Sequence, residues 1–193
     1  ARFPTVRTYA NWILGLGELY CREPNAAYFA MFQDDIVLVK NLRQYLETTI
    51  YRNSEKAYYN CFTFLSNEVV IGGQPPGTWL ESGNLSSGRE YHGKMQQAGR
   101  GAVALVFSRD AVLTLLTHQH MVERPMDADR GWRRIDGGIV ETMNKAGFRE
   151  MVHAPSLCQH TGKVSSMGNR QHRPAETFPG EGKDALEFLP HDK

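Results

Sequence analysis

Cysteine is scarce: Cys21, Cys61 and Cys158 are the three in 193 residues, far apart and in no CxxC or CxxH pair. That excludes a disulfide framework and a zinc knuckle, and slightly favours a reducing, cytoplasmic compartment over a secretory lumen. Long apolar runs are also missing. The longest, residues 26–32 and 101–107, are seven residues each, against roughly 20 for a bilayer-spanning helix. No excess of one charge exists either: 22 Lys and Arg face 21 Asp and Glu, a formal net charge of +1. The electrostatic case for a nucleic-acid partner is therefore weak, although Arg130, Arg133 and Arg134 around Trp132 form one basic, aromatic stretch. There is no internal repeat. Hydrophobic residues at 41% and charged residues at 22% describe a globular chain rather than a disordered or coiled-coil one. The chain opens Ala1-Arg2-Phe3-Pro4, without Met or a signal-like run, and is expected to be an excised segment.

What is present is alternating periodicity. Val6, Ala10, Ile13, Leu14, Gly17 and Tyr20 recur at helical spacing, and Glu23-Pro24-Asn25 stops the pattern. Residues 26–32 then form an apolar run that fits a strand buried on both faces, ending abruptly in Gln33-Asp34-Asp35. After Asn41, placed as an N-cap, Leu42, Tyr45, Leu46, Thr49 and Ile50 repeat as a helix. Residues 57–65 and 68–71 have strand composition. The glycine-rich stretch 72–101, anchored by Trp79, reads as a binding loop or lid. Residues 101–107 return as a buried strand, and Ser108 caps a helix reaching about Leu116. Another helix is predicted over 137–146, with Asp136 as N-cap and Gly147 at its end, then a short strand at 148–152. Strands alternating with helices predict an α/β fold with a mixed, mainly parallel sheet flanked by helices, its functional groups at the carboxyl ends of the strands.

Asp34 and Asp35 stand at such an end. Paired carboxylates at the mouth of a buried strand need a cationic partner, commonly a divalent metal, unless they merely cap the loop that follows. Successive side chains of an extended segment point in opposite directions, so one of the two binds metal and the other is free for ligand hydroxyls.

Taken with three further segments, this constellation resembles the GT-A fold glycosyltransferases. FQDDIVLVKNLRQYL, residues 32–46, looks like the family's aspartate-rich metal motif, and GAVALVFSRDAVLTLL, residues 101–116, is similar to the strand and helix before its acceptor site. IDGGIVETMNKAGF, residues 135–148, resembles its acidic residue at an acceptor-side helix, and PSLCQHTGKVSS, residues 155–166, its C-terminal histidine segment. The resemblance covers about residues 5–168, a GT-A-like core, and leaves 169–193 as a polar, extended tail. The family's opening βαβ unit, which holds the nucleotide base, has no counterpart before the first helix, so a preceding N-terminal segment is expected.

The resemblance implies a metal-dependent enzyme that moves a sugar from a nucleotide-diphosphate sugar, a UDP-sugar above all, to a hydroxyl of a carbohydrate or glycoconjugate acceptor, with inversion. It implies Asp35 and His160 as ligands of Mn²⁺ or Mg²⁺, Asp34 on the ribose or donor sugar, and Lys163 on the phosphates. Asp136 is implied as the general base, though an Asp before Gly137-Gly138 is equally explained as a cap. Trp79 and Trp132 are candidate sugar platforms or plain loop anchors. The competing classes are a noncatalytic carbohydrate-binding protein on the same scaffold and a metallohydrolase. Against the hydrolase, no HxH, HxxxH or DxH accompanies the Asp pair.

Overall fold

The computed structural model describes residues 7–50, 56–63, 73–82, 102–123, 135–162 and 174–190. Helix α1, Arg7–Arg22, places Tyr9, Trp12 and Leu16 on one buried stripe, and Trp12 meets Phe107 edge to face with ring centroids 5.7 Å apart. Strand β1 is Tyr28–Phe32, β2 is Ile36–Leu38, and α2 is Leu42–Ile50. Then come β3, Ala57–Asn60, β4, Thr78–Glu81, and β5, Ala104–Ser108. Helix α3, Arg109–Thr117, starts where expected, with the Ser108 side chain accepting from the Ala111 N–H. Short α4, Gln119–Glu123, and α5, Ile135–Lys145, precede β6, Arg149–Ala154, and β7, Cys158–His160.

The main sheet has the order β1-β5-β3-β6-β4, and β2 pairs with β7 in a separate small sheet. The fold is α/β and the sheet is mixed, but it is mostly antiparallel, which corrects the mainly parallel expectation. Among the described strands of this sheet only β3 and β6 pair in parallel; β1 with β5, β3 with β5 and β4 with β6 are antiparallel. Because β1 and β3 both run against β5, they share a direction, as a strand–helix–strand unit requires. What breaks the parallel pattern is the insertion of β5 between them. Periodicity reports that a segment is a strand, not which strand lies beside it.

The sheet separates two apolar layers. Phe29, Tyr58, Leu105 and Phe107 meet α1, α3, α4 and α5 on one face. Tyr59, Ala104 and Val106 meet α2, Leu157 and Cys158 on the other. Tyr58 and Tyr59 show the period-two logic: adjacent in β3, both essentially inaccessible, they belong to opposite layers. Such burial is worth roughly 1.5–3 kcal/mol for each large side chain. β5, inside the sheet between β1 and β3, is buried on both faces as expected. β1 is not: it lies at the sheet's edge, only Phe29 is fully buried, and Ala30 and Phe32 are exposed.

Two further expectations change. Thr78–Glu81, placed in a lid by its glycine-rich context, is the edge strand β4, paired with β6; positions 72 and 83–101 of that stretch, and the strand expected over 68–71, lie outside the described residues. The C-terminal stretch, read as an extended tail, packs into the α2 layer over 174–190 through Ala175, Ala185 and Phe188. Lys40 N–H donates to the Lys183 carbonyl (2.8 Å) and Ala185 N–H to the Lys40 carbonyl (3.0 Å). Asp184 accepts from the Asn41 amide and from the Leu186 N–H, opening a 3-10 turn at Ala185–Phe188. Asn41 sits at φ 55° with its side chain given to Asp184, in place of the N-cap role expected of it. Gly77, at φ 90°, carries the chain beneath this segment, where a Cβ would collide with the Phe188 carbonyl.

Candidate functional site

Where β1 ends, the Gln33 N–H bonds to the Val103 carbonyl (2.9 Å), and Asp34 and Asp35 form a bend before β2. Antiparallel pairing of β2 with β7 sets Ile36 opposite His160. Continuing that register outward brings Asp35 to Thr161, whose N–H and hydroxyl both donate to the Asp35 carbonyl at 2.9 Å. The same closure brings the side chains together: His160 Nε2 lies 3.1 Å from Asp35 Oδ2, with the imidazole 7% exposed and the carboxylate 45%. Asp34 is exposed beside them. The pair implied by the family resemblance, distant in sequence, is thus in direct contact.

Gly162 completes the arrangement. A Cβ there would stand 2.7 Å from His160 Cε1 and 2.8 Å from Asp35 Oδ2, closer than real Cβ contacts come, so any other residue here would have to displace these two side chains. Its N–H donates to His160 Nδ1 at 3.2 Å. With Nδ1 accepting, the neutral ring carries its hydrogen on Nε2, directed at Asp35.

The donor set suits a divalent ion in spacing. Two ligands each about 2.1 Å from an octahedral ion, at right angles to one another, stand about 3.0 Å apart, close to the 3.1 Å between these two atoms. Ligation through Nε2 requires that hydrogen to leave, and a ring protonated on Nδ1 no longer accepts from Gly162. Among the described residues no group of three or more His, Cys, Asp and Glu side chains could hold a metal ion. An ion bound by one carboxylate and one imidazole leaves positions open to phosphates and water, a common arrangement for Mg²⁺ and its relatives.

Asp136 is placed differently from the expectation. Helix α5 begins at Ile135, whose side chain is buried, so Asp136 lies inside the first turn and is not the N-cap. A carboxylate there still meets the positive end of the helix dipole. Asp136 lines a cavity of about 10 Å³, the size of one water, together with Tyr58, Asn60, Leu105 and Glu150. Glu150 is fully buried; Asn60 donates to one of its oxygens (2.9 Å) and Ser82 to the other (3.0 Å). Burial and this neighbouring carboxylate push the Tyr58 phenol up. Sequence reasoning passed over Glu150 and Asn60. Each is a polar residue within a segment of strand composition, which in Phe148–Val152 also holds Arg149.

Trp79 belongs to the core's margin. Its ring meets Tyr59 at 5.1 Å and His153 at 4.8 Å, both edge-on, and its N–H donates to Thr49 Oγ1 at 3.4 Å. These contacts anchor β4 against the α2 layer, the plainer of the two roles expected of it. Trp132 and Lys163 lie outside the described residues, as do Arg130, Arg133 and Arg134. His118 and His120 are on the far layer, with His120 Nε2 3.0 Å from Glu141. No helix among the described residues is long and apolar enough to cross a membrane. The chain matches no family model and no curated protein.

Proposed function

We propose that this protein is a metal-dependent glycosyltransferase with a GT-A-like fold, moving a sugar from a nucleotide-diphosphate sugar, a UDP-sugar first, to a hydroxyl of a carbohydrate or glycoconjugate acceptor. The observation that carries this reading is the Asp35–His160 contact, 3.1 Å across, at the carboxyl end of β1. Carboxylate and imidazole together suit Mn²⁺ at least as well as Mg²⁺. When bound, the ion would neutralise charge developing on the departing nucleotide diphosphate, without proton transfer.

The chain's own residues would do the rest. Asp35 and His160 would hold the ion, with the Asp35 backbone fixed by Thr161. Exposed Asp34 accepts hydroxyl protons of the ribose or donor sugar. Lys163 adds a point charge on the phosphates. Asp136 takes the acceptor's hydroxyl proton, and attack from the face opposite the leaving group inverts the anomeric centre. Its place in a first turn leaves the carboxylate partly accessible.

Calorimetry with Mn²⁺ and UDP tests the metal half. Asp35→Ala and His160→Ala should each weaken metal-dependent nucleotide binding by about 10–100-fold; unchanged binding removes the site assignment. Asp136→Asn should lower kcat by about 10²–10⁴ with donor affinity nearly intact. Activity retained within a few fold makes Asp136 a helix-terminus residue only, and sugar binding without turnover of any donor favours the noncatalytic alternative.

A further inference from the structure

The candidate pair depends on a part of the chain that contributes no ligand. Gln159 precedes His160, and its amide bonds with both backbone groups of Ala175: Nε2 donates to the Ala175 carbonyl at 3.0 Å, and Oε1 accepts from the Ala175 N–H at 2.9 Å. The same Oε1 accepts from the His160 N–H at 3.1 Å. Two donors meet the oxygen and one acceptor meets the nitrogen, so the amide has a single satisfactory orientation. Close by, the Ser156 N–H donates to Thr177 Oγ1 at 3.1 Å. Ala175 is itself in the core, and the segment beyond it is fastened to Lys40 and Asn41 at the start of α2.

We propose that Gln159 is a positioning residue for the Asp35–His160 pair, and that the C-terminal segment 174–190 acts through it to hold His160 where it meets Asp35. On one side the register with β2 fixes β7; on the other, the Gln159 amide ties the His160 backbone to Ala175. The imidazole is nearly sealed while its partner carboxylate is half exposed, so the precision of the pair rests on the histidine's side of the contact. Positioning of the pair is independent of what it binds; only its consequence for metal binding rests on the glycosyltransferase reading.

The experiment uses the full chain with Gln159→Leu, which keeps bulk and loses all three bonds, and Gln159→Glu, which keeps the acceptor and loses the donor to Ala175. Two readouts are taken. The first is the ¹⁵N resonance pattern of the His160 ring, assigned by its loss in His160→Ala. Wild type should show a protonated Nε2 and an accepting Nδ1; Gln159→Leu should show averaged nitrogens, and Gln159→Glu an intermediate pattern. The second is Mn²⁺-dependent binding of UDP, expected to fall about tenfold in Gln159→Leu and less in Gln159→Glu, with metal-free nucleotide binding unmoved. A purely structural role would lower the melting temperature yet leave the ring pattern and the metal-dependent fraction as in wild type, and that result overturns the proposal. If Gln159→Leu does not fold, Gln159→Glu decides on the same criterion. If wild type binds no Mn²⁺–UDP, the glycosyltransferase reading fails, and the ring spectra alone decide whether Gln159 positions His160.

Discussion

His153 and His160 stand seven residues apart on one stretch of chain, and the protein uses them in opposite ways. His153 is sealed. Its Nδ1–H donates to the Pro155 carbonyl at 2.6 Å, and its Nε2 accepts from the Tyr45 hydroxyl at 2.6 Å. The rings of Trp79, Tyr45 and Phe188 surround it at centroid distances of 4.8, 5.4 and 5.9 Å. Both nitrogens are satisfied in the neutral form, and burial lowers its pKa to about 4, with the Pro155 carbonyl opposing in part. His160 sits where β7 runs out, its ring facing a carboxylate that water reaches. The first histidine closes a core and the second is held at its edge. Identical side chains therefore differ in purpose because the packing around them differs.

The comparison breaks most visibly in a pair of truncations. His153→Ala removes a filled volume and strands the Tyr45 hydroxyl and Pro155 carbonyl, at a cost of about 3–5 kcal/mol. His160→Ala at the edge should cost about 1 kcal/mol. Urea melts of both variants check this, and a larger loss for His160→Ala would reverse the assignment of roles.

Acid sharpens it next. The folded pKa of His153, about 4, lies below its ordinary value of 6.5, so between those values the unfolded chain binds the extra proton. Its contribution is complete above pH 6.5, declines as pH falls, and is gone below about 4, a loss of about 3 kcal/mol. Wild type should lose that much more stability than His153→Phe over this window. Parallel stability–pH curves for the two proteins would contradict the sealed, neutral ring.

The smallest effect belongs to the edge pair. Gly162→Ala forces a methyl against His160 Cε1 and Asp35 Oδ2, separating the two side chains while the core stays intact. Metal-dependent UDP binding should weaken about tenfold with the melting temperature shifted by only a few degrees. Wild-type binding in this variant would show that the Asp35–His160 spacing does not matter for it.

The elements were largely legible: α1, α2, α3, β5 and β6 lie close to where periodicity, Ser108 and Gly147 put them. Asp34 and Asp35 stand out in the sequence as carboxylates ending an apolar run and Asp136 as an acidic residue at a helix start, whereas His160, preceded by Gln159, is marked only by the family resemblance. The Asn60–Glu150–Ser82 network was not, because hydrogen-bond partners 90 and 68 positions apart leave no mark in a local window. The C-terminal segment was misread for a related reason: between polar residues, Ala175, Ala185 and Phe188 are too few to show a period, yet they are what it buries.

By itself the sequence determined most of the helices and the longer strands, because propensity, capping and period act within one or two turns of chain, while the short strands β2, β4 and β7 needed their partners to be recognised. It also determined the candidate chemistry, since carboxylate and imidazole carry their properties wherever they are placed. Tertiary structure alone decided that β5 runs between β1 and β3, that His160 reaches Asp35 through the β2–β7 register, and that residues 174–190 support that contact. These are choices among neighbours distant in sequence, governed by which surfaces bury together, and no local pattern encodes them.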